Sequence, residues 1–417
     1  MLTNYIKIAW KVLLRHPFYT FITLFGISLT LTVLMVLTSF IDHLLGAHYP
    51  ETRRGRSLYL QFMVQLDSSG TGRSQGPMSY KFLNEQVRTL SLPERVTINS
   101  FALGSSTDIY AGSQKIKVTP KYTDAEFWQV MDFTFLDGKP YDEQMIRNGE
   151  SVVVITDKVR DYYFGKTNES VIGKTIDVES VRYRVIGVVQ GVPVTRTYSY
   201  GDMYLPYTNP KSNYQSTGSR GTFTAVVLAK NPADRKAIQE EFQSRIDRIP
   251  LPGIENGFKF SKVEVKMLPY TESWLDQLLN NGSGIRTLFY SVLGFILFML
   301  LGLPALNLVN LNVSRILERA SEIGVRKAFG APVSTLLWQF IVENIFITLI
   351  GGAIALILSV GIIYLINQSG WIVYADLTIN LGVLGISLLV CLLFGFLSGV
   401  LPAFRMAKLN IVTALKA

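Results

Sequence analysis

The sequence predicts a membrane protein with four transmembrane α-helices and a large α+β extracytoplasmic domain between the first and second spans. Three observations predict it. Four runs are long and nearly free of charge, basic residues flank those runs on alternate sides, and the segment 43–284 has mixed charge and strand-like alternation. The chain has 417 residues, of which 48% are hydrophobic and 17% charged; an average soluble domain is roughly 25% charged. That balance excludes a disordered chain, a coiled coil and an ordinary cytosolic enzyme. One cysteine, Cys391, excludes an intrachain disulfide and any multi-cysteine metal site. Three histidines do not suit a zinc enzyme. The net charge is +9, but the informative basic residues flank apolar runs, which argues for membrane lipid and against nucleic acid as a partner.

Residues 1–17 read as a cytoplasmic amphipathic helix. Leu2, Tyr5, Ile6, Ala9, Trp10, Leu13 and Leu14 recur at helical spacing, while Lys7, Lys11 and Arg15 form a second stripe. Such a helix lies in the interface, apolar side in lipid and basic side toward anionic headgroups. His16-Pro17 ends it. The first transmembrane helix, 18–42, follows. Its uncharged stretch from Phe18 to Ile41 spans roughly 36 Å at 1.5 Å per residue, enough for a hydrocarbon core of about 30 Å. The run is too long for a signal peptide, and Leu45-Gly46-Ala47 makes a poor cleavage site, so it reads as an uncleaved anchor. The second span is 286–313, the third 333–366 and the fourth 381–404.

Orientation follows from the flanks. Lys7, Lys11 and Arg15 precede the first span; Arg315, Arg319, Arg326 and Lys327 lie in the loop 314–332; Arg405, Lys408 and Lys416 lie in the tail 405–417. The loop 367–380 has Asp376 and no Lys or Arg. The positive-inside rule puts both termini and 314–332 in the cytoplasm, and 43–284 and 367–380 outside.

In the exterior domain, 43–57 reads as a stalk. A strand is expected over 57–66, a glycine- and serine-rich loop over 67–77, and a helix from Ser79, its cap, to Leu90. Strands at about 95–104 and 107–118 follow. Near the other end, a strand at 222–228, a helix at 234–249 and a strand at 261–268 are expected. These two brackets, 57–118 and 211–270, compose one α+β subdomain. The piece between them, 119–210, reads as an inserted, mostly β subdomain. It holds a short helix and turn at 127–135, a buried strand at 151–155, a helix at 156–164, and strands at 174–178 and 182–189 joined by a tight turn.

No catalytic set stands out. Gly-Lys-Thr occurs at 165–167 and 173–175, but Arg160 and Asn168 stand where a phosphate-binding loop needs its first glycine. Gly70, Gly72 and Gly76 lack dinucleotide-binding spacing. The exterior acids Asp132, Asp137, Asp142 and Glu143 fall at turns. Within the spans, Glu343 is the main ionisable residue, a marker of function or of a hydrogen bond to a neighbouring helix.

The sharpest feature is the cytoplasmic loop. Glu322 and Arg326 are four apart in the favourable order; Arg315 with Glu318, and Arg319 with Glu322, are three apart. Such pairs support a helix by only tenths of a kcal/mol each, and the Glu318–Glu322 pair opposes them. Gly324 interrupts this helix and Gly330 ends it. The two readings are a docking lever for a cytosolic partner and a cluster that only sets topology.

The run from Glu322 to Ala331, Glu-Ile-Gly-Val-Arg-Lys-Ala-Phe-Gly-Ala, resembles the signature of MacB/FtsX-type ABC-transporter permeases. Gly26-Ile27, Glu343 after Gln339-Phe340-Ile341-Val342, and Pro402-Ala403 with Ala407 and Ala414-Leu415 are similar to other parts of that family's pattern. Val118-Thr119, Gly138-Lys139-Pro140, Ser151–Ile155, Phe164-Gly165, Ile172–Thr175 and Val185–Val189 resemble its periplasmic core domain. The tail departs from it, with Asn410-Ile411 where Asp-Pro is common. The resemblance implies a non-catalytic permease subunit in a bacterial inner membrane, working as a homodimer or with a homologous permease. ATP is bound by a separate cytosolic ABC ATPase, and the chain itself holds no cofactor, catalytic group or metal. Glu318, Glu322, Ile323, Gly324, Val325, Arg326 and Lys327 would couple to that ATPase. Three outputs stay open: export or extraction of a substrate, activation of a periplasmic cell-wall hydrolase, and release of lipoproteins, for which Pro304 would kink the second span. A periplasmic adaptor or hydrolase is the corresponding further partner.

Overall fold

The computed structural model describes residues 14–15, 17–67, 73–102, 104–112, 114–166, 169–178, 181–250, 254–255, 258–278, 287–299, 302, 325, 332–370, 377–390, 392–393 and 396. These residues fall into two compact units. One contains the described apolar helices; the other, from Leu44 to Gly282 with Ile372–Ala375, contains the sheets.

In chain order, the described elements begin with α1 (Pro17–Leu45), β1 (Ser57–Leu60), β2 (Met63–Asp67), β3 (Arg73–Gly76), α2 (Tyr80–Gln86) and β4 (Arg95–Ser100). Next come β5 (Thr107–Ala111), β6 (Gln114–Val118), β7 (Pro120–Thr123), α3 (Phe127–Val130), β8 (Phe135–Gly138) and α4 (Glu143–Arg147). β9 (Val152–Thr156), α5 (Asp157–Phe164), β10 (Thr175–Val178), β11 (Val181–Val189), β12 (Met203–Pro206) and β13 (Phe223–Leu228) follow. Then come α6 (Arg235–Ile246), β14 (Ile254–Glu255), β15 (Phe258–Val265) and α7 (Tyr270–Leu278). The remaining helices are α8 (Thr287–Met299), α9 (Val333–Ser369) and α10 (Leu381–Val390).

The large sheet runs β1-β13-β4-β7-β12-β9-β11-β10-β5-β6, with β8 paired to β11. Its centre is buried on both faces, so its strands read as continuous apolar runs. In β13, Phe223, Ala225 and Val227 join one core with Leu58, Leu60, α2 and α6, while Val226 and Leu228 join another with Tyr59, Phe127 and Tyr204. In β9, Val153 and Ile155 turn to a third core with Val185 and Val188, against Val159 of α5. Short polar caps fix the helix starts. Ser79 accepts from the Phe82 N–H, Asp142 from Met145 and Thr156 from Val159, each satisfying a donor that the first turn leaves open.

Three sequence expectations change here. The strand expected over 57–66 is two strands: β1 enters the large sheet, and β2 enters a small sheet of order β14-β15-β2-β3. The run 107–118 is a hairpin, β5–β6, turning at Gly112, whose positive φ of 61° suits glycine. That hairpin pairs with β10 through Val178 and Ile109, so it belongs with the 119–210 strands and not with β4. Strand alternation gives no information on which neighbour a strand will choose.

Among the described residues, two helices are long and apolar enough to cross a membrane, Thr20–Leu45 and Ile341–Ser369. α8 and α10 are shorter apolar helices within the expected second and fourth spans. The other residues of those two spans, and all but Leu14, Arg15 and Pro17 of the helix expected over 1–17, lie outside the described residues or are isolated positions. α1 and α9 pack through Ile27, Leu31, Ile347 and Ala355. A Cβ on Gly351 would lie 2.7 Å from Ile27 Cγ2, and one on Gly352 would collide with Leu388 of α10. Such small residues allow close backbone approach in lipid, where hydrocarbon offers helices no hydrophobic drive to associate. Hydroxyls add polar contacts: Thr32 Oγ1 donates to the Ala355 carbonyl at 3.3 Å, and Ser39 Oγ to the Thr378 carbonyl at 2.6 Å.

Candidate functional site

The polar group best placed to act lies where α1 ends in the sheet-bearing unit. A helix leaves its last carbonyls without intrahelical partners and carries partial negative charge there. Two buried arginines meet this need. Arg54 Nη1 donates to the Leu44 carbonyl at 3.0 Å and to the Gly46 carbonyl at 2.7 Å; Arg196 Nη1 donates to Gly46 at 2.9 Å. Arg54 is placed by a 3₁₀ turn, Arg54–Arg56, immediately before β1. Arg196 comes from the irregular but buried loop between β11 and β12.

Glu51 holds the pair together. Its Oε2 accepts from Arg54 Nε at 2.8 Å, and its Oε1 accepts from Ser199 Oγ at 2.6 Å. The Arg54 and Glu51 side chains are 4% and 1% exposed, so this ion pair is dry; Arg54 Nη2 lies 2.8 Å from Glu51 Oε2, but among the described residues neither it nor Arg196 Nε makes a hydrogen bond of good geometry. The Arg54 guanidinium carbon sits 3.3 Å from the Tyr270 ring centroid, a cation–π contact with the first residue of α7. Burial disfavours charge on Arg54, but Glu51, then Tyr270 and Tyr59, raise its pKa above the ordinary value. Arg196 moves the other way, lowered by burial and then by the Arg54 charge. Burial, then Glu51, pushes Tyr270 up to about 12.

The surrounding contacts make the clasp wide. Tyr198 bonds Ser273 of α7 at 2.5 Å and donates to Gln61 at 3.2 Å. Tyr49 donates to the Gln190 carbonyl at 2.9 Å, Arg53 pairs with Asp132 at 2.5 Å, and the Asp132 N–H donates to the Pro50 carbonyl at 2.8 Å. The stalk expected over 43–57 is therefore a clasped linker. Asp132, expected as a solvated turn acid, takes part in holding it. α7 leads toward the expected second span, so one network joins the segment leaving the first span to the segment approaching the second.

Most of the sequence-predicted coupling residues, Glu318, Glu322, Ile323, Gly324, Arg326 and Lys327, lie outside the described residues; Val325 is helical and exposed. Glu343 is buried, 3% exposed, on α9 with Gln339, Asn344 and Thr348, which are also buried. Among the described residues, no group of three or more His, Cys, Asp or Glu side chains is arranged to hold a metal. The clasp itself was missed. Glu51 and Arg54 show a three-residue spacing after the first span, but nothing in the sequence connects them to Arg196, Ser199 and Tyr270.

Two helices long and apolar enough to cross a membrane, together with a separate multi-stranded sheet unit, fit a membrane protein with a large folded domain. Residues 20–245 match the MacB-like periplasmic core domain, and residues 294–411 match the FtsX-like permease C-terminal region. The chain belongs to the MacB/FtsX-like family of ABC-transporter permeases. It is 26% identical over 408 residues to the macrolide export ATP-binding/permease protein MacB of Acinetobacter baylyi, covering 96% of this chain and 57% of that protein. It is 24% identical to the pyoverdine export ATP-binding/permease protein PvdT of Pseudomonas fluorescens, covering 99% of this chain and 59% of that protein. An ABC transporter permease of Bacillus subtilis, YknZ, is 25% identical over 282 residues, covering 67% of this chain and 65% of that protein. The chain thus spans less than two thirds of the length of these relatives.

Proposed function

We propose that this chain is the permease subunit of an ABC transporter in a bacterial inner membrane, with both termini in the cytoplasm and the sheet-bearing unit in the periplasm. A cytosolic ABC ATPase binds and hydrolyses the ATP. Two permease chains, identical or homologous, complete the membrane part. The loop 314–332 docks on the ATPase through Glu318, Glu322, Ile323, Gly324, Val325, Arg326 and Lys327. ATP-driven closure moves that loop, and stiff transmembrane helices carry the displacement outward as rigid bodies. The periplasmic domain then changes shape around an exported substrate. The export functions for which MacB and PvdT are named support export of a small molecule as the output.

One observation carries this reading: the end of α1 is gripped by Arg54 and Arg196, with Glu51 and Tyr270 fixing their positions. The test replaces the ion pair with apolar side chains, Glu51→Leu with Arg54→Met, in the permease reconstituted with its ATPase. Basal ATP hydrolysis should persist while export falls by at least about tenfold, a loss of roughly 1.4 kcal/mol of coupling. Export at the unaltered rate would contradict the clasp as the transmission point.

A further inference from the structure

One buried cation takes no part in the clasp. Lys121, on β7, is fully buried, and among the described residues its ammonium has a single hydrogen-bond partner, the Ser100 carbonyl at 2.9 Å. A lysine without a carboxylate at this depth is costly when charged. Burial holds its pKa down at about 7, and Glu51 is the charged group that acts against this. The charged and titratable groups on the elements packed around it include Glu51 and Arg54 in the linker, Arg196, Tyr198, Tyr200 and Asp202 in the β11–β12 loop, Tyr204 on β12, Arg95 on β4 and Tyr59 on β1. Asp124, just past β7, is paired to Arg88.

Lys121 also touches the clasp mechanically. It lies opposite Tyr204 in the parallel β7–β12 ladder, and a Cβ on Gly201 would lie 2.8 Å from Lys121 Cβ. Tyr204 Oη donates to the Ser199 carbonyl at 3.0 Å, and Ser199 Oγ holds Glu51. A packed path thus runs from Lys121 through the 199–201 turn to Glu51, Arg54 and the end of α1. Glu51 is the acid that a charged Lys121 would draw toward itself, away from Arg54.

We propose that Lys121 is a proton-binding site that controls the clasp: the neutral amine leaves Glu51 to Arg54, and protonation favours a loosened state in which Glu51 serves Lys121. Periplasmic pH would then set how firmly α1 grips the domain. The inference rests on the clasp being the transmission point, but its test reads clasp opening without an ATPase and so fails or succeeds separately from the transport reading.

The sign is fixed by linkage. Lys121 binds its proton more weakly in the closed clasp, so the loosened state gains as pH falls from the free-lysine range toward 7 and gains no more below it. The experiment is hydrogen exchange by mass spectrometry on the full chain in nanodiscs, corrected for intrinsic exchange, from pH 5.5 to 9. Protection of the 46–54 amides should fall, by up to about tenfold per pH unit for one linked proton, between pH 9 and 7, then level off. Lys121→Met should keep the segment protected at every pH. Lys121→Gln is the second variant if Met fails to fold, and the unaltered chain's own profile decides if both fail. A flat profile in the unaltered chain, or the same slope in a folded variant, overturns the proposal. So does an equal loss in β9 and β11, which would make Lys121 a determinant of the whole fold.

Discussion

Glu51→Ala tests the clasp most simply. The change removes the acceptor of Arg54 Nε and of Ser199 Oγ and leaves the Arg54 guanidinium buried without its counter-charge. Breaking one side of a dry ion pair costs about 3–5 kcal/mol, because the remaining charge stays desolvated. Replacing both partners, Glu51→Leu with Arg54→Met, removes that unpaired charge and should recover most of the loss. Native-state hydrogen exchange on the full chain, read at amides of β1, β12 and β13, measures this free energy without interference from the membrane helices. Glu51→Ala should lower the opening free energy by several kcal/mol, and the double change by less than half as much. A Glu51→Ala cost below about 1 kcal/mol, typical of a solvated surface pair, would refute the reasoning.

Three further predictions follow from single positions. Below pH 7 the closed clasp bears the full cost of a buried ammonium at Lys121, and this cost fades as pH rises from 7 toward 10.5. At pH 6, Lys121→Met should therefore raise protection of the 46–54 amides by at least about tenfold while leaving β9 and β11 unchanged; unchanged protection of 46–54 would contradict this. Gly138→Ala should destabilise by more than about 3 kcal/mol, because φ is +69° and a Cβ there collides with the Ile186 carbonyl; a soluble, fully protected β8–β11 pair in that variant would sink the idea. Gly351→Val should separate α1 from α9 by pushing on Ile27, while Gly361→Val, with open space around it, should not; disulfide trapping between cysteines placed at Leu31 and Ala355 reads the difference.

The architecture was legible where one local signal dominates. Long apolar runs nearly free of charge marked α1 and α9, since lipid admits little else. Ser79 was readable as a helix cap because a side-chain oxygen there replaces a missing backbone partner, whereas Asp142, read as a turn acid, caps α4. Strand order was not legible. The β5–β6 hairpin follows β4 in sequence yet pairs with β10, and 57–66 breaks at Gln61-Phe62 to serve two sheets. The clasp was hidden for a different reason. Its parts come from the linker, the β11–β12 loop and α7, and buried polar networks have no period in sequence. Lys121 was equally silent, because a lysine on a strand reads as a solvent-facing residue until both faces of its sheet are seen to be covered.

The measurement that tests the central claim most directly is purification of the tagged full chain from native membranes in mild detergent, with mass spectrometry and an ATPase assay on what is recovered. The account predicts a bound ABC ATPase, whose association is lost in Glu322→Ala and Arg326→Ala variants that still insert in the membrane. Recovery without an ATPase, under conditions that hold a known complex of this kind together, would contradict it and return the charged loop to a topology signal.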